Sequence, residues 1–163
     1  MPERTQQKST KTVEFSNLGR RVVEGRFDGA SMTSDGGVML LNETDRKLGL
    51  TQAAARCIPD PRSPLLITHA VRDMLRQRVY GLALGWEDLN DHKDLRLDVA
   101  MQTAVGVDRE VASAPTLCRL ESWSDRTTAV DLHKVLVEQF IASFKTAPDE
   151  LVFDFDATDN PLY

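Results

Sequence analysis

Two aspartates near the end of the chain, Asp154 and Asp156, have residue types and spacing suited to chemistry. Alternation through LVFDFDATD predicts a strand over 151–156 that carries both carboxylates on one face. A carboxylate on such a strand is costly unless it is paired or binds a cation. Asp156 also begins Asp-Ala-Thr, a D-x-[ST] pattern typical of an aspartate that bridges two divalent ions for attack on a phosphodiester. Solvated carboxylates on an edge strand are the alternative.

The same segment fits the D-x-D-x-T motif of haloacid-dehalogenase-type phosphotransferases. In that interpretation Asp154 is the nucleophile and Asp156 is the general acid and base. That motif normally opens its domain and depends on further residues downstream, whereas here it closes the chain. An EF-hand fits worse, because the spacing of the acids is wrong and the loop lacks its glycine.

Three arginines, Arg72, Arg76 and Arg78, are candidates for contacts with DNA phosphates. Arg72 and Arg76 lie four residues apart on a predicted helix, so they share a face of it. Each phosphate contact would add affinity that falls as salt rises. The alternative is a solvated helix face on which Asp73 is an ion-pair partner.

A second DNA-binding candidate is the segment SAPTLCR, which predicts the start of a helix that presents Thr116 and Arg119. A helix that only packs within an all-α subdomain is the alternative. The acidic run from Glu87 to Asp94 could suggest a metal site around His92. An acidic loop with helix caps, in which His92 is a hydrogen-bonding polar residue, fits that run better.

The elements that position these residues are predicted to be mostly helices. Capping signals and apolar spacing predict five of them, over 38–48, from Pro64 to about Leu82, over 98–105, over 113–123, and from Thr127 or Thr128 to near Pro148. Short strands are expected before residue 34. The predicted fold class is therefore mainly α with a few short strands (α+β). Its last strand needs partners from outside the chain, because a lone strand is unstable in water.

Composition indicates a globular chain of one ordinary domain or two small ones. The 163 residues are 41% hydrophobic and 28% charged, as in folded proteins. Neither a signal peptide nor an apolar run of the ~20 residues that span a membrane is present. We therefore expect no membrane partner and a cytoplasmic location, with Cys57 and Cys118 reduced and buried.

The net charge of -5 is unevenly distributed along the sequence. Bases outnumber acids over residues 1–78, whereas the last eighteen residues contain five acids and no base. This asymmetry would suit an enzyme that holds DNA at one place and metal ions at another.

Five stretches of the sequence, taken together and in order, resemble one known family. They are MTSDGGVMLL, PDPR at 59–62, QRVYGLALGWEDLNDH at 77–92, APTLCRLESW at 114–123 and VFDFDATDNP at 152–161. The chain resembles the DDE transposases of bacterial insertion sequences, in the group called the thirteen-eighty family, from about Phe27 onward. Five ordered blocks are far more specific than any one of them.

The resemblance implies a helical DNA-binding region followed by an RNase-H-like core that binds Mg²⁺ through three carboxylates. Residues 1–33 would then be a basic arm with short strands, 34–147 the DNA-binding region, and 148–163 the start of a truncated core. Asp156 is our first choice for the first of these carboxylates and for the metal ligand. Asp154 is the second choice for that role, and Asp159 is the third. Because the later carboxylates are missing, we expect this chain neither to cleave DNA nor to bind Mg²⁺ tightly.

The expected partners are duplex DNA at the transposon ends and, as a candidate, a second transposase subunit. A full-length enzyme of this kind would cut and join DNA at the element's ends. A non-catalytic truncated transposase that acts as a DNA-binding repressor is the alternative. The phosphotransferase interpretation ranks below both.

Overall fold

The structure, a computed structural model, describes residues 33–155 and the two strand segments 12–14 and 24–26. Strands β1 (Thr12–Glu14) and β2 (Glu24–Arg26) pair antiparallel, with Val13 opposite Gly25. The described helices are α1 (Val38–Leu48), α2 (Leu50–Ala55), α3 (Val71–Ala83), α4 (His92–Leu95), α5 (Val99–Val105), α6 (Ala114–Ser122) and α7 (Arg126–Ala142). Two 3₁₀ turns, Pro64–Leu66 and Leu89–Asp91, precede α3 and α4. The described part of the protein is thus mainly α.

Helix α1 ends at Leu48 as predicted, with Gly49 directly after it, but its N-cap is not the predicted residue. Gly49 has φ 69, a left-handed conformation that glycine adopts without strain, and its N–H donates to the carbonyl of Asp45 at 2.6 Å. The sequence offers Ser34 or Asp35 as the N-cap of this helix, and that prediction is wrong, because Gly37 is the N-cap and no side chain caps the helix. The carboxylate of Asp35 instead accepts a hydrogen bond from the indole of Trp86 at 3.3 Å.

The predicted helix from Pro64 is divided in two. Pro64 begins a helical segment at the predicted position, with Ser63 as its N-cap, but the segment is a 3₁₀ turn. Ile67 has an extended backbone (φ -80, ψ 108), and α3 begins only at Val71. Leu65 and Leu66, which a continuous helix would carry, are 94% and 78% exposed. Without a surface to bury them, nothing stabilises the helix across this segment.

Helix α3 packs into both buried clusters of the hydrophobic core. One buried cluster contains Val38, Tyr80, Leu95, Met101, Ala104, Val105 and Val111. The other contains Ile58, Met74, Ala112, Leu117 and Leu120. Because α3 contributes Met74 to one cluster and Tyr80 to the other, and contacts α2, α5 and α6, its position fixes theirs.

A buried polar network lies beside this core. The side chain of Gln77 accepts from the N–H of Ala112 at 2.8 Å, so its amide nitrogen is left to donate to the Ala112 carbonyl at 2.8 Å and to Nδ1 of His92 at 3.0 Å. Nδ1 of His92 is therefore the acceptor, and the proton lies on Nε2. Gly81 packs on this ring, and a Cβ there would lie 3.0 Å from Cε1 of His92. The prediction that His92 is a hydrogen-bonding polar residue is confirmed.

Helices α5 and α6 also match their predictions. Asp98 caps α5 through a bond from the N–H of Met101 at 2.8 Å, and Gly106 closes it with φ 93. Ser113 is the N-cap residue of α6, with proline in the first turn. Cys57 and Cys118 are free as predicted, but neither is buried, because Cys57 is half-buried and Cys118 is exposed.

Helix α7 and the segment after it differ most from expectation. Asp125, not a threonine, is the N-cap of α7, and the helix ends at Ala142. Among its apolar residues only Val135 is buried, whereas the predicted stripe is largely exposed at Leu136, Phe140 and Ile141. The prediction of a strand over 151–156 is not met in its described part, because residues 151–155 are exposed and have no regular secondary structure. No described segment pairs with them, and an unpaired strand is not stable.

Within the described ranges, no helix has both the length and the apolar character needed to cross a membrane.

Candidate functional site

The predicted catalytic aspartates fall at the boundary of the described residues. Asp154 is exposed, while Asp156 and Asp159 lie outside the described residues. The rings of Phe153 and Phe155 stack with centroids 6.3 Å apart, so these two side chains share one side of the segment. Residues 33–155 contain no group of three or more His, Cys, Asp or Glu side chains placed to hold a metal ion.

The structure does not bring the three predicted DNA-binding arginines into one surface. Arg72 is exposed and pairs with Asp73 at 2.8 Å. Arg78 donates to the carboxylate of Glu121 on α6 at 2.8 Å and to the backbone carbonyl of Glu87 at 2.8 Å. Arg78 therefore ties α3 to α6 and to the loop that follows α3.

Arg76 is directed toward the interior rather than toward solvent. Its Nε lies 3.4 Å from Oδ2 of Asp45 and 3.1 Å from the hydroxyl of Thr51, and its Nη1 lies 3.4 Å from the carbonyl of Val105. Its side chain is only 16% exposed. These contacts give Arg76 a structural role that joins α1, α2, α3 and α5.

Asp45 is the centre of that network. It is buried and accepts bonds from the backbone N–H of Thr51 at 2.8 Å and from the hydroxyl of Tyr80 at 3.0 Å. Burial acts to raise the pKa of Asp45, but the bonds from Thr51 and Tyr80 and the charge of Arg76 outweigh it and lower the pKa below its ordinary value. The carboxylate is thus charged and satisfied inside the fold.

The other predicted pair, Thr116 and Arg119, lies in a surface groove. The groove has a volume of about 480 Å³ and separates the first turns of α6 from the segment before α3. An Nη2 atom of Arg119 lies 3.4 Å from the hydroxyl of Thr116. Across from them the wall includes Thr68 and His69. The structure therefore brings these two residues together with partners that the sequence did not identify.

Arg62 lines one wall of the groove, where two neighbouring side chains hold its guanidinium in place. Arg62 makes two bonds of 2.7 Å to the carboxylate of Asp60, and its guanidinium lies 4.9 Å from the ring centroid of Trp123. The hydrogen bonds from Arg62 hold the pKa of Asp60 below its ordinary value. This pairing keeps the planar guanidinium stacked on the indole at the groove wall.

The local electrostatic field is positive. Arg109 donates from Nη2 to the carbonyl of Thr68 at 2.6 Å, which brings a second arginine to the groove's edge. Burial lowers the pKa of His69, and the charges of Arg109 and Arg62 lower it further. A cation is disfavoured at His69 mainly because the imidazole is partly buried; the two arginines add to this effect, and the charge of Asp73 opposes it.

Sequence reasoning missed Arg62, His69 and Arg109. Arg62 lies in the PDPR block, but no spacing rule links it to Arg109, which follows 47 residues later. Only the fold brings Arg62 and His69 into one groove, with Arg109 bonded to its edge at Thr68.

Comparison with known proteins gives one match. The model of a family described as transposase DDE domain, group 1, matches residues 15–163. No curated protein and no solved structure matches the chain. The matched range includes every described helix, the groove and the aspartates at the end of the chain.

Proposed function

Because the chain belongs to the transposase DDE domain group 1 family, we propose that it acts in DNA transposition by binding the duplex DNA at the ends of a mobile element. The family match over residues 15–163 is the observation that carries this proposal. The family implies a DNA substrate. A basic groove on the helical body supports a binding role for this part of the molecule.

We assign the helical region 34–147 to DNA binding, with 1–33 as a basic arm and 148–163 as the start of an RNase-H-like core. Transposases of the thirteen-eighty family are the proposed closer relatives, since the five sequence blocks resemble theirs. A DNA substrate makes the bacterial cytoplasm the proposed location. A second transposase subunit remains a candidate partner.

The catalytic part of the proposal concerns Asp156, with Asp154 as the second choice. DDE transposase domains use a divalent metal, and Mg²⁺ is the metal we propose. When bound, the metal would activate the attacking oxygen and stabilise the leaving oxygen of a phosphodiester. Of the proposed ligands only Asp154 lies in the described residues, where its side chain is exposed. The catalytic assignment therefore rests on the sequence pattern and the family, and the described residues bear on DNA binding.

Among the described residues, Thr116 and Arg119 are the proposed DNA contacts. Both lie in the groove, and Arg119 is exposed. Arg76 and Arg78 are engaged within the fold and are proposed to shape this surface indirectly. Arg72 is exposed beside Asp73 and can add only a peripheral contact.

A salt titration with duplex DNA tests the proposal. The 163-residue chain should bind a duplex of about 30 base pairs, followed by fluorescence anisotropy, and the logarithm of the affinity should fall linearly with the logarithm of salt concentration. Single-stranded DNA of equal length is the control and should bind more weakly. Absence of duplex binding at the lowest salt would contradict the proposal.

A further inference from the structure

The groove beside Thr116 and Arg119 lies at the beginning of two helices. His69 in its wall directly precedes the N-cap of α3, a helix of 13 residues, and Thr116 lies in the first turn of α6, a helix of 9 residues. Neither helix has a side-chain hydrogen bond at its N-cap. The first turn of α3 already contains the carboxylate of Asp73. In α6, Pro115 has no N–H, and the N–H of Thr116 donates to the Ser113 carbonyl at 2.9 Å. The arginines, and not the helix ends, therefore supply the positive charge at the groove.

Two arginines at the groove have no acidic partner in the described structure. Within residues 33–155, six arginines form ion pairs: Arg46, Arg62, Arg72, Arg76, Arg78 and Arg96. Of the described arginines that form none, Arg119 lines the groove and Arg109 bonds to the carbonyl of Thr68 in its wall. Arg109 is nevertheless held in place, because Nη2 donates to the Thr68 carbonyl and leaves its other N–H groups available. Arg119 is restrained only by its 3.4 Å contact with Thr116.

The walls of the groove reinforce these charges. Arg62 on Trp123 forms a flat, partly apolar side that displaces water from one flank. Charges interact more strongly where water is displaced, because the effective dielectric is lower. Burial is the main cause of the lowered pKa of His69; the charges of Arg109 and Arg62 lower it further, and that of Asp73 acts to raise it. Both arginines therefore lie close enough to the groove to act on a group in its wall.

We propose that this groove binds a backbone phosphate of duplex DNA, with Arg119 and Arg109 as its charged donors and the hydroxyl of Thr116 as a neutral one. The inference rests on the proposed function, which supplies DNA as the ligand. It adds Arg109 as a contact and assigns the groove to the sugar–phosphate backbone rather than to base edges. Such a contact fixes the position of the protein on DNA and carries no sequence information.

The test compares neutral variants at the groove with a matched variant elsewhere. Arg119→Gln and Arg109→Gln each remove one phosphate contact, so each should weaken duplex binding several-fold at low salt, about equally on all sequences. Each should also reduce the slope of the salt dependence by about one. Arg46→Gln, an exposed arginine paired with Glu43 on α1, is the control and should leave both the affinity and the slope unchanged.

Three outcomes separate this inference from the proposed function. Reduced affinity and slope in both groove variants, with thermal unfolding like that of the unchanged chain, support it. If the unchanged chain binds DNA while the groove variants keep its slope, or lose no more affinity than Arg46→Gln, the groove is not the phosphate site and the proposed function stands. If the unchanged chain does not bind duplex DNA, both fail.

Discussion

At the scale of single residues, the most constrained side chain is His92. It is fully buried, accepts at Nδ1 from Gln77, and carries its proton on Nε2, which has no hydrogen-bond partner among the described residues. Protonation would place a second N–H at Nδ1, directly against the amide nitrogen of Gln77. Gln77 cannot rotate to accept it without losing the bond from Ala112. The network is therefore compatible only with neutral imidazole.

This geometry predicts that mild acid destabilises the fold. Burial, then the charge of Arg78, lowers the pKa of folded His92 below its ordinary 6.5. Above that pH both states are neutral, and below it the unfolded chain binds more protons, so stability falls as pH drops until folded His92 is itself protonated. Urea unfolding at about pH 7.5 and about pH 5 measures the loss.

A variant without His69 separates the effect of His92 on the pH dependence of stability from that of the second histidine with a lowered pKa. His69 also has a lowered pKa and acts in the same direction, so the comparison is made in His69→Gln. Asp45, whose pKa is lowered from 3.8, contributes only at lower pH. An unchanged urea midpoint between the two pH values in that variant would show that His92 does not resist protonation.

The residues of the groove show what the sequence could reveal of the site. Thr116 and Arg119 were predictable because they share one helical turn behind a clear Ser-Ala-Pro start signal. Arg62 and Arg109 were not, since their proximity depends on the tertiary packing of segments far apart in sequence. The contacts of Arg76 and Arg78 on α3 could not be predicted for the same reason, because their partners Asp45 and Glu121 are likewise distant in sequence.

At the scale of elements, helices with strong local end signals were predictable. Helix α1 ends at Gly49, and α5 lies between the Asp98 cap and Gly106. Each signal acts through its own backbone geometry, so distant contacts are not needed to interpret it. The start of α3 and the expected strand over 151–156 depend on packing or pairing partners, which local sequence does not specify.

The Asp45 network is the main polar link between elements. Asp45 on α1 receives bonds from Thr51 on α2, Tyr80 on α3 and Arg76 on α3. Arg76 also reaches the carbonyl of Val105 at the end of α5. Three helices thus meet at one satisfied carboxylate, and Arg76 joins α5 to them, which makes each partner costly to remove.

Replacement of Arg76 should therefore affect stability, whereas replacement of Arg72 should not. Arg76→Gln leaves Asp45 buried without its cation, and we expect a loss of roughly 1–3 kcal/mol in the free energy of unfolding. Arg72→Gln, on the same helix, removes only an exposed pair and should change stability by less than about 0.5 kcal/mol. Urea denaturation of the two variants measures the difference. Equal effects would show that Arg76 is an ordinary surface residue.

At the scale of the whole molecule, overall charge and local charge act separately. The chain has a net charge of -5, which by itself opposes DNA. Arg62 and Arg119 nevertheless line the groove, and Arg109 bonds to the Thr68 carbonyl at its edge. Because phosphate contacts act at short range and release counterions, a local basic site is sufficient for binding.

The central claim is that this DNA is the end of a mobile element, and one binding comparison tests it most directly. Duplexes taken from the DNA that flanks the gene for this chain are compared with shuffled duplexes of the same composition, at several salt concentrations. Recognition of element ends predicts tighter binding to the flanking duplexes, by at least about tenfold near physiological salt. Equal affinity for flanking and shuffled duplexes at every salt concentration would contradict the claim.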